Sequence, residues 1–416
     1  MIDSGSPQRR ASSRRGVSAL SAFLAFLSLA FGILHYIRLR SPGGTRFFAL
    51  RVLAAALSPV WAFFGLIGGL GGASTRRPVV AAAGLAGLLA SGSYIRRVAA
   101  VTPPSDGVGL LLRPAPRVER DLVFHTTTLP PGCGEGNRPL YCDLWQPAAG
   151  APRSGIGIVY LHGSAWYLGD KAELTDPMLG GWASQGHVVM DVAYRMCPET
   201  DLRGMLADAW TAVTWLKAHA EEYQIDRHKM VLAGTSAGGH VALVAAYTSD
   251  QADLLPRELE GRDVSVRGVV AMSAPIDMAA MLDYHSDMLA SAHPQPGSAY
   301  DPLHDLDPLV PPGPGAARRE RMRWQRAQAR RLSGLLRDLL GGGPGDSPEM
   351  FALATVPTHV RPGLPPTLLI QGDRDVLVPV EPARELYRRL QEVGVHAEYL
   401  ELPLTDHAFE LALPRI

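Results

Sequence analysis

The sequence predicts an α/β protein with a mostly parallel, doubly wound sheet, preceded by an N-terminal α-helical transmembrane region. Three observations carry that expectation. Across residues 121–416, short apolar runs of strand length alternate with stretches of helical spacing, as in βα units whose strands are covered on both faces. At one strand-to-helix junction stands a serine between glycines, Gly234-Thr235-Ser236-Ala237-Gly238. The first hundred residues hold three long runs free of formal charge.

Composition sets the frame. With 416 residues, 47% hydrophobic and 19% charged, the chain is too apolar and too weakly charged to be disordered. Its formal net charge is zero, so no global basic field draws it to nucleic acid. Residues 1–120, however, carry 15 Arg and no Lys against Asp3, Asp106 and Glu119, a net of +12 that the remainder must cancel. That asymmetry places the first quarter in a different environment from the rest.

A membrane anchor of two to three helices is expected over residues 1–100. The run 16–37 has 22 residues between Arg14-Arg15 and Arg38, enough to cross about 30 Å of hydrocarbon. The run 52–75 contains Pro59 and Trp61, then Gly65, Gly68, Gly69 and Gly72. Its Gly-xxx-Gly spacings let another helix approach closely, as a dimerisation face would, or simply reflect how common glycine is in membrane helices. The run 78–95 is either a third span or a helix lying in the interface. Three spans would put the N-terminus and the C-terminal domain on opposite sides, two on the same side. Positive-inside counting is balanced, with Arg9, Arg10, Arg14 and Arg15 before the first run and Arg38, Arg40, Arg46 and Arg51 after it. No small-residue cleavage site follows the first run, so an uncleaved anchor is expected.

Residues 101–120 read as a Pro- and Gly-punctuated linker. Strands are expected at 121–128, 139–146, 156–161, the end of 183–192, 230–233, 269–272, 367–370 and 397–400, and helices at 202–222, 237–247 and 381–393. An insertion at about 280–350 is rich in Pro and Gly. Within it, 318–337 holds eight Arg, followed by leucines at helical spacing. It reads equally as a basic amphipathic lid over lipid or active site and as a solvated surface helix. Of the three cysteines, Cys133 and Cys142 flank a turn and would bridge in an oxidising compartment, whereas Cys197 suits a small buried packing position. None has metal-site spacing.

The chemistry centres on Ser236. A G-x-S-x-G between an apolar strand and an Ala-rich helix is a nucleophile elbow: Gly234 and Gly238 allow strand and helix to close around a tight turn that lifts the hydroxyl. The helix N-terminus behind it favours developing negative charge. A serine so placed needs a base, and the base an orienting carboxylate. His240, just after the elbow, reads as a packing or surface residue.

Five segments, in order, resemble the hormone-sensitive-lipase-like branch of the α/β-hydrolase superfamily and related membrane-anchored esterases. These are His162-Gly163-Ser164-Ala165-Trp166, similar to the family's HGGG(W); Asp191 to Glu199, similar to D-x-x-YRL-x-PE; the elbow itself; and the pair Gly372-Asp373-Arg374-Asp375-Val376-Leu377-Val378-Pro379 and Thr405-Asp406-His407-Ala408-Phe409. The resemblance covers roughly residues 118–416. It implies an α/β-hydrolase fold, with Ser236 as nucleophile, His407 as general base and Asp375, rather than Asp373, as the orienting acid. It further implies an oxyanion hole from the amides of Ser164, Ala165 and Ala237, supported by His162, Gly163, Gly234 and Gly238. Arg195 and Glu199 would be structural. Ser164 and Ala165 stand where the family has glycines, and a Cβ there restricts the backbone and narrows the pocket.

The expected function is a membrane-anchored serine hydrolase cleaving lipophilic acyl or methyl esters through an acyl-enzyme. It would use no metal or organic cofactor and have as partners its ester substrate and the bilayer. Acyl lipids, acylated metabolites and methyl esters of prenylated cysteines are the candidate substrates. The alternatives are an acyltransferase or amidase using the same acyl-enzyme, and a non-catalytic binding protein of this fold. No HExxH, phosphate loop or dinucleotide fingerprint is present.

Overall fold

The computed structural model describes residues 7–37, 47–102, 114–129, 136–163, 165–172, 175–285, 312–313, 315–331 and 335–412. The chain begins with helix α1 (Pro7–Leu34), then α2 (Phe48–Ala56), α3 (Ser58–Ser74) and α4 (Pro78–Val101). Within α1, the 19 residues Gly16–Leu34 are long and apolar enough to cross a membrane, as are the 24 residues of α4; at 1.5 Å per residue they measure about 28 and 36 Å. Val17, Leu20, Phe23, Phe26, Val79, Leu85 and Leu89 face outward from them.

Over the run 52–75 the structure has two helices in place of one: α2 and α3 meet at Leu57 with a bend of 73°, and the pair together is long and apolar enough to form one broken span. Pro59 has no N–H to offer the Ala55 carbonyl, and its ring crowds that turn. The Ser58 hydroxyl lies 2.7 Å from that oxygen and supplies the missing donor. The glycine spacing is used within the chain rather than left for a second copy. A Cβ on Gly68 would stand 2.5 Å from the Ala25 nitrogen of α1, and one on Gly72 2.5 Å from the Ala81 nitrogen of α4. The glycines thus let α3 sit against both neighbours. Helix α4 also runs past Arg96 and Arg97 to Val101, since arginine is a good helix former.

The rest is an eight-stranded sheet, β1 (Arg117–Thr128), β2 (Asn137–Gln146), β3 (Gly157–Leu161), β4 (Val188–Val192), β5 (Met230–Thr235), β6 (Gly268–Met272), β7 (Thr367–Gly372) and β8 (Ala397–Leu402), in the order β1-β2-β4-β3-β5-β6-β7-β8. Among the described residues only the β1–β2 and β2–β4 pairings are antiparallel. The strand β1 starts inside the expected linker, because Arg117, Val118 and Glu119 pair with Gln146, Trp145 and Leu144. Linker residues 103–113 lie outside the described residues.

Alternation along the strands builds two cores. Val159 and Leu161 of β3 point to one face, with α6 (Leu202–Ala218), α7 (Ala237–Tyr247) and α12 (Glu381–Glu392), numbered after α5 (Asp176–Ser184), α8 (Met278–Tyr284), α9 (Arg318–Arg331), α10 (Leu335–Leu340) and α11 (Pro348–Ala354). Ile158 and Tyr160 point to the other, with Met178, Leu179 and Ala183 of α5 and Phe409 of the last helix, α13 (Phe409–Ala412). Every residue of α7 is buried, so the helix behind Ser236 is held on all sides. Cys142 is a free thiol in the first core, and burial pushes its pKa up to about 12; Cys133 lies outside the described residues. Cys197 is also buried and free.

Of the insertion, residues 286–311 lie outside the described residues. Leu339 and Leu340 of α10 are buried in the core, and Asp338 accepts a hydrogen bond from Tyr167. On α9, Arg318, Arg319, Arg321 and Arg323 are exposed while Trp324 is buried.

The α-helical region is not separate from the sheet. Helix α2 rests on α13 and α4 meets β8, and Leu404 is buried with Ala55, Tyr94 and Val98. The apolar helices therefore sit on the loop that follows β8.

Candidate active site

Parallel pairing carries β5, β7 and β8 to the same edge of the sheet, and the loops after these strands hold Ser236, Asp375 and His407. Ser236 sits between β5 and α7 at φ 52°, ψ −123°, a conformation that L-residues rarely adopt and that costs on the order of 1–3 kcal/mol. The flanking glycines make the turn possible. A Cβ on Gly234 would come 2.4 Å from the Gly238 carbonyl carbon, and one on Gly238 2.1 Å from the Leu161 oxygen.

The structure brings the three side chains into one hydrogen-bonded line. Ser236 Oγ lies 3.0 Å from His407 Nε2, and His407 Nδ1 lies 2.8 Å from Asp375 Oδ2. The other Asp375 oxygen accepts from the amides of Leu377 at 2.9 Å and Val378 at 2.8 Å, and Gln371 Nε2 donates to Oδ2 at 3.3 Å. Asp373 instead lies beside Arg374, 3.7 Å away.

Burial disfavours the imidazolium of His407, but the charge and hydrogen bond of Asp375, aided by Glu410 and Asp406, outweigh it and raise its pKa. Since a carboxylate only accepts, Nδ1 carries the proton, leaving the Nε2 lone pair for the Ser236 hydroxyl.

The segment at the end of β3 lies across the elbow. Gly163 is so near that a Cβ on it would stand 3.3 Å from Ser236 Cβ. Ala165 and Trp166 both have positive φ, 47° and 61°, where glycine is at ease and a Cβ is strained. Ser164 lies outside the described residues. The amide of Ala237 opens α7 and so has no partner within the helix. His162 is buried and neutral, its pKa lowered to about 4 by desolvation against the opposing bond to Gly163. Its carbonyl accepts from Tyr194 at 2.9 Å. In the Asp191–Glu199 segment, Arg195 is held at 2.6–3.1 Å by Asp208, and Glu199 by Arg138 at 2.9 Å, so both are spent on the fold.

Four residues near the site carry no assignment to it from sequence. His240 is fully buried and joins two segments: Trp166 Nε1 donates to Nδ1 at 3.2 Å, and Nε2 lies 2.7 Å from the Ala354 oxygen. Indole only donates and a carbonyl only accepts, which fixes the tautomer; burial holds the pKa near 4. His240→Phe removes both of these hydrogen bonds. We expect a stability loss of about 1–3 kcal/mol, read as a lower Tm; an unchanged Tm would show that the relay does not hold the Trp166 segment. Glu410, three residues after His407, is buried, and desolvation raises its pKa to about 7 against the charge of His407. Phe48 sets its ring 6.3 Å from that of His407.

The fourth is Arg51. Charge counting places it in a solvated loop, but it is 4% exposed and its Nε lies 3.0 Å from Asp406 Oδ2. Its signal in the sequence is a single Arg within an apolar stretch that has no acidic neighbour. Among the described residues, no cluster of three or more His, Cys, Asp or Glu is arranged to hold a metal ion.

Comparison with known proteins places this site in context. A family model described as BD-FAE matches residues 142–299, a stretch that includes Gly163 and Ser236 but neither Asp375 nor His407. The chain is 28% identical over 270 residues to esterase LipC of Mycobacterium tuberculosis, covering 65% of this chain and 57% of that protein. It is 26% identical over 280 residues to the probable carboxylic ester hydrolase LipM of the same organism, covering 67% and 55%. It thus spans little more than half the length of these curated relatives. Among solved structures, Thermogutta terrifontis esterase 2 phosphoramylated by tabun matches with a TM-score of 0.48 and 22% identity, over 72% of this chain and 86% of that one.

Proposed function

We propose that the chain is a membrane-anchored serine hydrolase of lipophilic carboxylic esters, of the hormone-sensitive-lipase-like branch of the α/β-hydrolase superfamily that its motifs resemble and that its similarity to mycobacterial esterases supports. One observation carries the reading: the unbroken line from Ser236 Oγ through the His407 ring to Asp375, at 3.0 and 2.8 Å, on a strained elbow.

In this mechanism Ser236 Oγ attacks the acyl carbonyl carbon while its proton passes to His407 Nε2. Asp375 holds the imidazolium by charge and hydrogen bond. The oxyanion rests on the amides of Ser164, Ala165 and Ala237, the three donors that the resemblance implies; each donor of this kind is worth about 10²–10³ in rate. Collapse breaks the ester C–O bond, and the departing alcohol takes the proton from His407. Water then attacks acyl-Ser236 by the same route, returning the acid and the free serine.

The substrate class follows from what surrounds the line. Phe48 stands beside His407, and its helix presents Leu50 and Leu53, with Phe47 just before it, as exposed apolar surface. With α1 and α4 crossing a bilayer and the α2–α3 pair bent beside them, α2 would lie near the membrane surface next to the site. Esters dissolved in the bilayer would then be concentrated where Ser236 works.

The test uses the full chain in nanodiscs, a fluorophosphonate probe and p-nitrophenyl esters from acetate to palmitate. We expect the label on Ser236 and kcat/KM rising with chain length beyond butyrate. A folded protein that takes up no probe and turns over no ester would overturn the assignment, and an optimum at acetate would overturn its lipophilic part.

A further inference from the structure

We propose that Arg51 is a positioning residue for His407, so that the short helix α2 of the apolar region is part of the working active site. The proposal rests on the reading of His407 as general base. Asp406, the residue before His407, joins two loops: its Oδ1 accepts from the His407 amide at 2.8 Å and from the Val376 amide, next to Asp375, at 3.0 Å. One carboxylate thereby fixes the backbone of both the base and its orienting acid. Its other oxygen faces Arg51 Nε at 3.0 Å, with the two side chains only 3% and 5% exposed.

A buried carboxylate needs such a counter-charge. Burial and the neighbouring Asp375 both favour neutral Asp406, and Arg51 opposes them. No other cation forms an ion pair with Asp406 among the described residues. Take Arg51 away, and Asp406 must either pick up a proton or turn toward water, releasing the amides that it holds. The seat beneath this loop comes from the same helices. Leu404 packs with Ala55, Tyr94 and Val98, and Tyr94 Oη lies 3.4 Å from Thr405 Oγ1. Helix α2 thus meets the loop through charge at Arg51 and through apolar contact at Ala55, with Phe48 reaching the His407 ring itself.

The competing explanation is that Arg51 only sets topology or folding. A double-mutant cycle in the full chain separates the two, using Arg51→Met, Arg51→Lys, Asp406→Asn and the double variant Arg51→Met/Asp406→Asn. The amide introduced by Asp406→Asn would keep an acceptor oxygen for both backbone N–H groups without a charge to neutralise. The readouts are kcat, KM and the rate constant of fluorophosphonate labelling, each per titrated site so that unfolded protein does not count. We expect Arg51→Met to lower kcat and labelling by about 10- to 100-fold, the scale of a small misplacement of a reacting group, with KM nearly unchanged. Arg51→Lys should restore part of that loss, and the double variant should exceed Arg51→Met.

Should Arg51→Met not fold, the double variant decides alone, and it should fold and label. Arg51→Met at the wild-type rate, or a double variant no better than the single, would overturn the clamp while leaving the hydrolase reading intact. A wild type that takes up no probe would overturn both.

Discussion

Ser236→Ala is expected to abolish covalent labelling and to lower ester turnover by about 10⁶-fold, the scale seen when a serine nucleophile is removed from an intact site. The variant is well suited to the question because little else should change. Ser236 is held at φ 52° by the elbow, and alanine carries the same Cβ, so the backbone strain is equal in both. Gly234 and Gly238 still allow the close approach of β5 and α7. The amide of residue 236 keeps its bond to the Met272 oxygen at 2.7 Å. Only the 3.0 Å contact with His407 Nε2 is lost. Tm should therefore stay within about 1–2 °C of wild type, since loss of one part-exposed hydroxyl bond costs well under the 1 kcal/mol that shifts Tm by a few degrees. Turnover surviving at more than about 1% would mean that chemistry proceeds without the serine, and the acyl-enzyme would have to be abandoned.

What was legible in the sequence divides along a physical line. The sheet was legible because its strands are buried on both faces and read as short apolar runs, and because the helices between them carry their own periodicity. Ser236, Asp375 and His407 were legible for a related reason. Each belongs to a local segment whose shape is set by neighbours in the chain, and parallel crossovers carry the ends of β5, β7 and β8 to one edge. The choice of Asp375 over Asp373 came from resemblance; in the structure Asp375 curls back onto the amides of Leu377 and Val378, while Asp373 lies beside Arg374.

Arg51, Phe48 and His240 were not legible in this way, because nothing within ten residues of any of them names its partner. The buried ion pair of Arg51 spans from α2 to the loop after β8, and His240 spans from Trp166 to Ala354. Charge counting treats Arg51 as solvated, which is the usual fate of an Arg between apolar runs. The bend at Leu57 escaped the sequence for a different reason. Pro59 is in plain view, but hydropathy sums over a window and is blind to where a hydrogen bond is lost. The glycine spacing in turn signals close helix approach without saying whose helix approaches.

Asp375→Asn is expected to lower kcat by about 10⁴-fold, through the tautomer of His407 rather than through loss of charge alone. The surroundings leave the new amide one good orientation. The Leu377 and Val378 amides, 2.9 and 2.8 Å from Oδ1, require an acceptor there, so the asparagine oxygen stays with them and its NH₂ faces His407 Nδ1. Nδ1 must then accept, the ring proton moves to Nε2, and the hydroxyl of Ser236 loses its base. The pH profile should change in a defined direction. In the wild type, burial lowers the His407 pKa, but the charge and hydrogen bond of Asp375 raise it above the ordinary 6.5 with help from Glu410 and Asp406. Only the neutral ring can act as base, so kcat/KM should rise with pH through a midpoint above 6.5. Without the Asp375 charge the burial effect gains weight, and the midpoint of the small residual activity should move to lower pH. A profile of kcat/KM for p-nitrophenyl butyrate between pH 5 and 9, wild type against variant, reads both effects. Activity within tenfold of wild type, with Asp373→Asn the more damaging change, would transfer the orienting role to Asp373. A large loss with the midpoint unmoved would mean that the ring is tuned chiefly by Glu410 and Asp406, and that Asp375 holds the loop rather than the proton.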